Sequence, residues 1–160
     1  MSAFNPELFL SATVDTPTER RAPLPVENPE SPDKCYLAVI KDVKPRTWEG
    51  KTEKSAGKSG IAMDVELTTT VPSTLQTSLG LPPELTLRDS IMLDLTPTGL
   101  IDNAKGRNGR MRLYRDAVNM NNPGDSFSFL KMLGRPVKVK IEHEVYNDNP
   151  QERVKTVLRP

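Results

Sequence analysis

Arg88 to Met120 reads RDSIMLDLTPTGLIDNAKGRNGRMRLYRDAVNM, and midway through it the spacing of the apolar residues changes from a strand period to a helix period. In RDSIMLDL, Ile91, Leu93 and Leu95 alternate with Ser90, Met92 and Asp94, as expected of a strand with one face packed and the other wetter. From Gly109 to Met120 the residues Met111, Leu113, Tyr114, Ala117, Val118 and Met120 gather on one side of a helix, facing Arg112, Arg115, Asp116 and Asn119. Asn108 is placed to cap the start of this helix, and Asn121, Asn122, Pro123 and Gly124 cannot continue it.

Strands fall on either side. KCYLAVIKDV, residues 34–43, is rich in β-branched and aromatic residues and predicts a strand broken by Pro45. SGIAMDVELTTT predicts a second, with Ile61, Met63, Val65 and Leu67 on one face and Ala62, Asp64 and Glu66 on the other. VPSTLQTSLGLPPEL reads as a short helix between proline and glycine stops. After the main helix, DSFSFLKMLGR predicts a helical turn with Phe127, Leu130 and Leu133 inward. PVKVKIEHEVY then alternates, with Val137, Val139, Ile141, His143 and Val145 on one face, and a turn at Asn147 to Pro150 leads to a last strand, QERVKTVLRP. A helix between the third and fourth of five strands is the order of an OB-fold. The expected class is therefore mainly β with one main helix: an OB-fold-like five-stranded barrel over residues 34–160, with an extended proline-rich N-terminal arm over residues 1–33. The 15 Pro and 9 Gly fit many turns better than a helix bundle.

Charge is divided unevenly. Residues 1–33 carry 2 basic and 6 acidic side chains and residues 34–160 carry 20 and 15, so a mildly basic body suits a polyanionic partner. The most basic loop, PRTWEGKTEKSAGKSG, sets Lys44, Arg46, Lys51, Lys54 and Lys58 around Trp48, the only tryptophan, and reads either as a solvated hairpin loop or as a flexible strap for a phosphate backbone. Arg110 and Arg112 on the helix, Lys138 and Lys140 on the fourth strand, and Tyr146, Arg153 and Lys155 in the closing hairpin complete the candidate nucleic-acid contacts. In OB-folds such loops bind single strands through cations that track phosphates and aromatics that stack on bases.

Several signals are discounted. Ala56-Gly57-Lys58-Ser59 ends like a phosphate-binding loop, but Thr52 stands where its first glycine belongs and a strand follows instead of a helix. Asp64 and Glu66 lack the lysine two residues beyond Glu66 expected of a metal nuclease and read as an exposed sheet face. His143, the sole histidine, and Cys35, the sole cysteine, have no partners for a metal or nucleophilic site. No catalytic residue, metal or cofactor is expected. No basic leader with an apolar run and no stretch of ~18 apolar residues occurs, so the expectation is a soluble intracellular protein with no membrane partner.

The arm carries Pro6, Pro17, Pro23, Pro25, Pro29 and Pro32, which hold it extended. Within it FNPELFL sets Phe4, Leu8, Phe9 and Leu10 together, and burying each is worth roughly 1.5–3 kcal/mol. The alternatives are a disordered tail and docking of these residues on the body or on a neighbour, as an oligomer contact, and their apolar character favours docking.

From about Pro32 onward, CYLAVIKDVKPRTW, IAMDVEL, GRMRLYRDAVNM, LGRPVKVKIEHE and RVKTVL give the chain a resemblance to phage-encoded single-stranded-DNA-binding proteins of OB-like fold. That resemblance implies sequence-tolerant binding of displaced single-stranded DNA during phage replication or recombination, in the host cell cytoplasm, and supplies no catalytic residues. The alternative is a phage structural or decoration protein, or a host-factor-binding protein, that uses the same barrel as an interaction scaffold.

Overall fold

Two long hairpins and one further strand build a single antiparallel sheet. The computed structural model describes residues 3–160, in the order α1 (Pro6–Ser11), β1 (Tyr36–Glu49), β2 (Ser59–Thr70), α2 (Ser73–Leu79), β3 (Glu84–Met92), α3 (Gly109–Ala117), a 3-10 turn (Phe129–Met132), β4 (Pro136–Tyr146) and β5 (Asn149–Leu158). The strands lie in the order β3-β2-β1-β4-β5. One face packs on α2, α3 and the 3-10 turn, around Tyr36, Ile40, Val65, Leu67, Ile91, Tyr114, Met132, Val137 and Ile141. The mainly-β expectation holds, with α3 the longest helix.

β1 runs through Pro45 instead of breaking before it. β4 pairs only with Tyr36–Val39, so further along β1 has β2 as its sole neighbour and one edge is free. A free edge is where a residue without an N–H is tolerated. A register shift between Ile40 and Asp42 re-aims the strand. Before it Tyr36, Ala38 and Ile40 are buried; beyond it Val43 packs on the core, and Asp42, Lys44 and Arg46 line a cleft on the opposite face.

β3 begins at Glu84, four residues ahead of the expected start, because Leu85 and Leu87 already alternate into the core after the extended Pro82-Pro83 pair. It stops at Met92. Leu93 N still donates to Ile61 O (3.0 Å), but Leu95 makes only one isolated bridge, with Ile101. Asn108 pulls the chain away. In a left-handed conformation (φ 52°), its side chain accepts from Asp94 N (2.8 Å) and donates to the carbonyls of Asp94 (3.0 Å) and Asp102 (2.8 Å). Asn108 therefore staples the loop before α3 rather than capping the helix as expected, and makes no side-chain cap bond.

The far end of α3 also differs. Asn119 takes a left-handed φ of 56°, its N–H donates to Asp116 O (3.1 Å), and Met120 N donates to Arg115 O (2.8 Å). Those paired bonds are a Schellman stop, made by Asn119 ahead of the Asn-Asn-Pro-Gly run. In the 3-10 turn Phe129 and Met132 point inward while Leu130 and Leu133 are exposed, since a three-residue period puts positions three apart on one side. β4 buries Val137, Val139 and Ile141 but outruns the core, leaving His143 and Val145 exposed.

Leu24, counted in the arm from sequence, is fully buried in the core. Tyr36 Oη donates to Pro25 O (2.7 Å), His143 Nε2 lies 2.7 Å from Leu24 O, and Glu152 accepts from Leu24 N (3.2 Å) while pairing with Arg21. Burial pushes the Tyr36 hydroxyl up to about 12. Burial also opposes charge on Glu152, yet Arg21 and its backbone donors hold that carboxyl below its ordinary value. Residues 3–21 are exposed throughout.

Candidate nucleic-acid interface

The register beyond the β1 shift puts Lys44 opposite Asp64, Arg46 opposite Ala62 and Trp48 opposite Gly60. Strand alternation sets these three β1 residues on the outer sheet face in one row. Arg46 Nε donates to Asp64 Oδ2 (2.8 Å), and Ser90 Oγ on β3 donates to Asp64 Oδ1 (2.6 Å). These bonds hold the Asp64 carboxyl below its usual range and raise the Arg46 guanidinium. Lys44 Nζ lies 3.3 Å from Asp42 Oδ2. Such half-exposed pairs contribute about 0–1 kcal/mol. The cleft over this face, about 440 Å³, is lined by Lys44, Arg46 and Arg88 against Asp42, Asp64 and Glu66, so its centre has no excess of positive charge.

Trp48 is part of β1, not of a mobile loop. A Cβ on Gly60 would come within 2.8 Å of Trp48 Nε1 and 2.9 Å of Cε2, so the indole sits directly on the glycine and only a residue without a side chain fits beneath it. Its Nε1–H is buried there and finds no acceptor among the described residues. The basic loop contracts to residues 50–58 and is ordered: Gly50 N donates to Lys58 O (2.8 Å) and Ala56 N to Thr52 O (2.8 Å). Lys51, Lys54 and Lys58 are exposed on it, and none enters an ion pair among the described residues.

The other candidates divide. Tyr146 is exposed beside the turn at Asn147 and Asp148, whose left-handed φ values of 49° and 61° suit a two-residue hairpin. Lys140 and Lys155 are exposed, and Arg112 lies on the outer side of α3. Lys138 is held by Asp33 at 2.7 Å, which keeps that carboxyl far below the usual range and raises the amine. Arg153 lies 3.6 Å from Glu142 and 3.9 Å from Glu144.

Arg110 has a different environment. Its Nη2 donates to Asp89 Oδ2 (2.7 Å) and Val154 O (2.9 Å), its Nη1 to Lys155 O (3.2 Å), and Tyr114 Oη donates to the same Asp89 oxygen (2.7 Å). Burial, then the Asp89 charge, push the Tyr114 hydroxyl far above its ordinary value. This cluster ties α3 to β3 and β5 and occupies the donors that would serve a phosphate. Sequence reasoning missed it. The signal was Asp89 at a core-facing step of Leu85-Leu87-Asp89-Ile91, with Arg110 and Tyr114 one helical turn apart.

α1 forms because Pro6 opens it and Asn5 caps it, accepting from Glu7 N (3.1 Å). Phe4, Leu8, Phe9 and Leu10 remain 66–86% exposed, so they do not dock on their own body, although the Phe4 and Phe9 rings lie 5.4 Å apart. Among the described residues no group of three or more His, Cys, Asp or Glu is placed to hold a metal, and no helix is long and apolar enough to cross a membrane. Compared with known proteins, the chain matches no family model and no curated sequence.

Proposed function

We propose that this protein binds single-stranded DNA without strong sequence preference, through the β1–β2 hairpin of an OB-like sheet. The observation that carries the reading is the row Lys44, Arg46 and Trp48 on β1, continued by Lys51, Lys54 and Lys58 at the hairpin tip, with which no carboxylate pairs among the described residues. The strand order β3-β2-β1-β4-β5, with α3 between β3 and β4, is compatible with an OB-like arrangement and supports the same reading. Phosphates track the hairpin lysines, Trp48 and Tyr146 offer rings for stacking, and the mixed-charge cleft discriminates little between bases. Arg110 is left out because Asp89 holds it. The residues 3–21 form a free arm. The resemblance to phage single-stranded-DNA-binding proteins adds a role during phage DNA replication or recombination in the host cytoplasm.

Fluorescence anisotropy with a labelled oligonucleotide across a salt series tests this. Three to five phosphate contacts at a slope of about −0.7 each give roughly −2 to −3.5, so a fourfold rise in salt weakens binding by about twentyfold to a hundredfold. Replacing Lys51, Lys54 and Lys58 with alanine removes about 2 from the magnitude of that slope. A flat salt response, or equal affinity for duplex, rejects the proposal.

A second reading is a phage structural or host-factor-binding scaffold. The carboxylates interleaved with cations in the cleft favour it, because they repel a polyanion along the sheet centre. Absence of oligonucleotide binding at low salt selects this alternative.

A further inference from the structure

Trp48 and Gly60 face each other near the far end of the β1–β2 pairing, and the next row on the same outer face is Arg46, Ala62 and Met92. The indole lies on the bare backbone of Gly60, where an added Cβ would come within 2.8 Å of Nε1. Among the described residues that nitrogen is the one buried side-chain polar atom without a partner. An indole has a single polar group, a donor, and when buried it usually finds an acceptor. Covering a strand glycine with an aromatic ring explains the contact but not the forfeited hydrogen bond. We infer that Gly60 floors a slot for one nucleobase, filled by Trp48 in the free protein, and that the indole lifts off Gly60 to stack on the base that takes its place.

The surroundings of the ring allow that exchange. At this end β1 has β2 as its sole neighbour, so no strand blocks the indole on the other side. The shelf it leaves is apolar. Ala62 is fully buried beside it, and Met92, 49% exposed and diagonal to Gly60 across β2 and β3, carries a long thioether side chain that reaches a ring at such spacing. Phosphate is met close by, since Lys58, two residues before Gly60, is exposed and enters no ion pair among the described residues. The stowed ring is also held by a narrow margin: its unmet donor lowers the stowed population by about fivefold to 150-fold against a ring whose N–H is satisfied. A stacked base gives the indole apolar cover while returning its N–H to water. This inference rests on single-strand binding by the β1–β2 hairpin and adds the way in which the one tryptophan engages the strand.

Hydrogen exchange at the indole decides it, because the only tryptophan gives a single indole N–H signal in the isotope-labelled full-length protein. The probe is an oligothymidylate, and its binding is followed separately by the anisotropy of a dye on the oligonucleotide. In the free protein the N–H exchanges slowly; at saturation it exchanges about tenfold faster or more, and tryptophan emission is quenched in step with the anisotropy. Gly60→Ala displaces the indole beforehand and so binds the oligonucleotide about threefold to tenfold more tightly than the parent. Binding with an indole N–H that stays as slow as before overturns the inference and leaves single-strand binding intact. So does a folded Gly60→Ala protein that binds no more tightly than the parent. Should that variant not fold, Met92→Ala supplies the second test: it weakens binding by about twofold to tenfold with the free indole N–H unchanged, and parental affinity overturns the slot. No binding at low salt fails the hairpin reading itself, and this inference with it.

Discussion

Asp89→Ala isolates the cluster that joins α3 to β3 and β5. The carboxylate side chain is 9% exposed and that of Arg110 is 28% exposed. Removing it strips Arg110 of its ion pair and Tyr114 Oη of its acceptor at 2.7 Å. Breaking a buried pair by deleting one partner costs about 3–5 kcal/mol. Arg110 keeps some water and its bonds to Val154 O and Lys155 O, which puts the loss near the lower end, about 3 kcal/mol. At roughly 2–4 °C per kcal/mol for a chain of this size, the melting temperature falls by about 6–12 °C. Asp89→Asn, which keeps an acceptor for Tyr114 but no charge, falls by about half as much. Calorimetric or circular-dichroism melts measure both. A loss below about 1 kcal/mol for Asp89→Ala refutes the structural role. So does an Arg110→Ala protein that melts normally but binds oligonucleotide weakly, since Arg110 would then be a ligand contact.

Gly60→Ala forces a methyl group to within 2.8 Å of Trp48 Nε1 and shifts the indole, costing about 1–3 kcal/mol with a change in tryptophan fluorescence; an unchanged spectrum argues against the packing. Trp48→Ala weakens oligonucleotide binding by about 1–3 kcal/mol and also lowers stability, because the ring packs on β2; a melt identical to the parent would return Trp48 to a mobile loop. Tyr36 titrates higher folded than unfolded, so the folded state holds the proton longer, and stability present at neutral pH falls as pH rises from about 10 through about 12. Tyr36→Phe flattens that decline in a pH series of denaturant melts, and an unaltered decline assigns it to other groups. Glu152, whose folded carboxyl titrates lower than when unfolded, contributes stability at neutral pH that is lost as pH falls through its folded value. Glu152→Gln flattens that acid limb and loosens residues 22–24, read as faster amide exchange at Leu24; unchanged exchange at Leu24 rejects this anchoring role.

Local pattern carried much of the architecture. SGIAMDVELTTT is β2 residue for residue, and the proline and glycine stops around Ser73–Leu79 mark α2, where Gly80 closes the helix at φ 66°. Both follow from periodicity and backbone restriction, which act over a few neighbours. What failed locally failed for tertiary reasons. Pro45 stays in a strand because β4 leaves that edge of β1 free, which depends on a partner about ninety residues away. Asn108 had the chemistry of a cap, but Asp94 and Asp102 compete for its side chain once the loop folds back. The candidate site divides in the same way. The cations could be counted from sequence, whereas their freedom could not: Arg110, Arg46 and Lys138 are paired by Asp89, Asp64 and Asp33, which stand 18 to 105 positions distant. Composition and spacing thus determined the elements and total charge, while the sheet, by bringing distant carboxylates beside some cations and leaving Lys51, Lys54 and Lys58 bare, decided which charges remain available to a ligand.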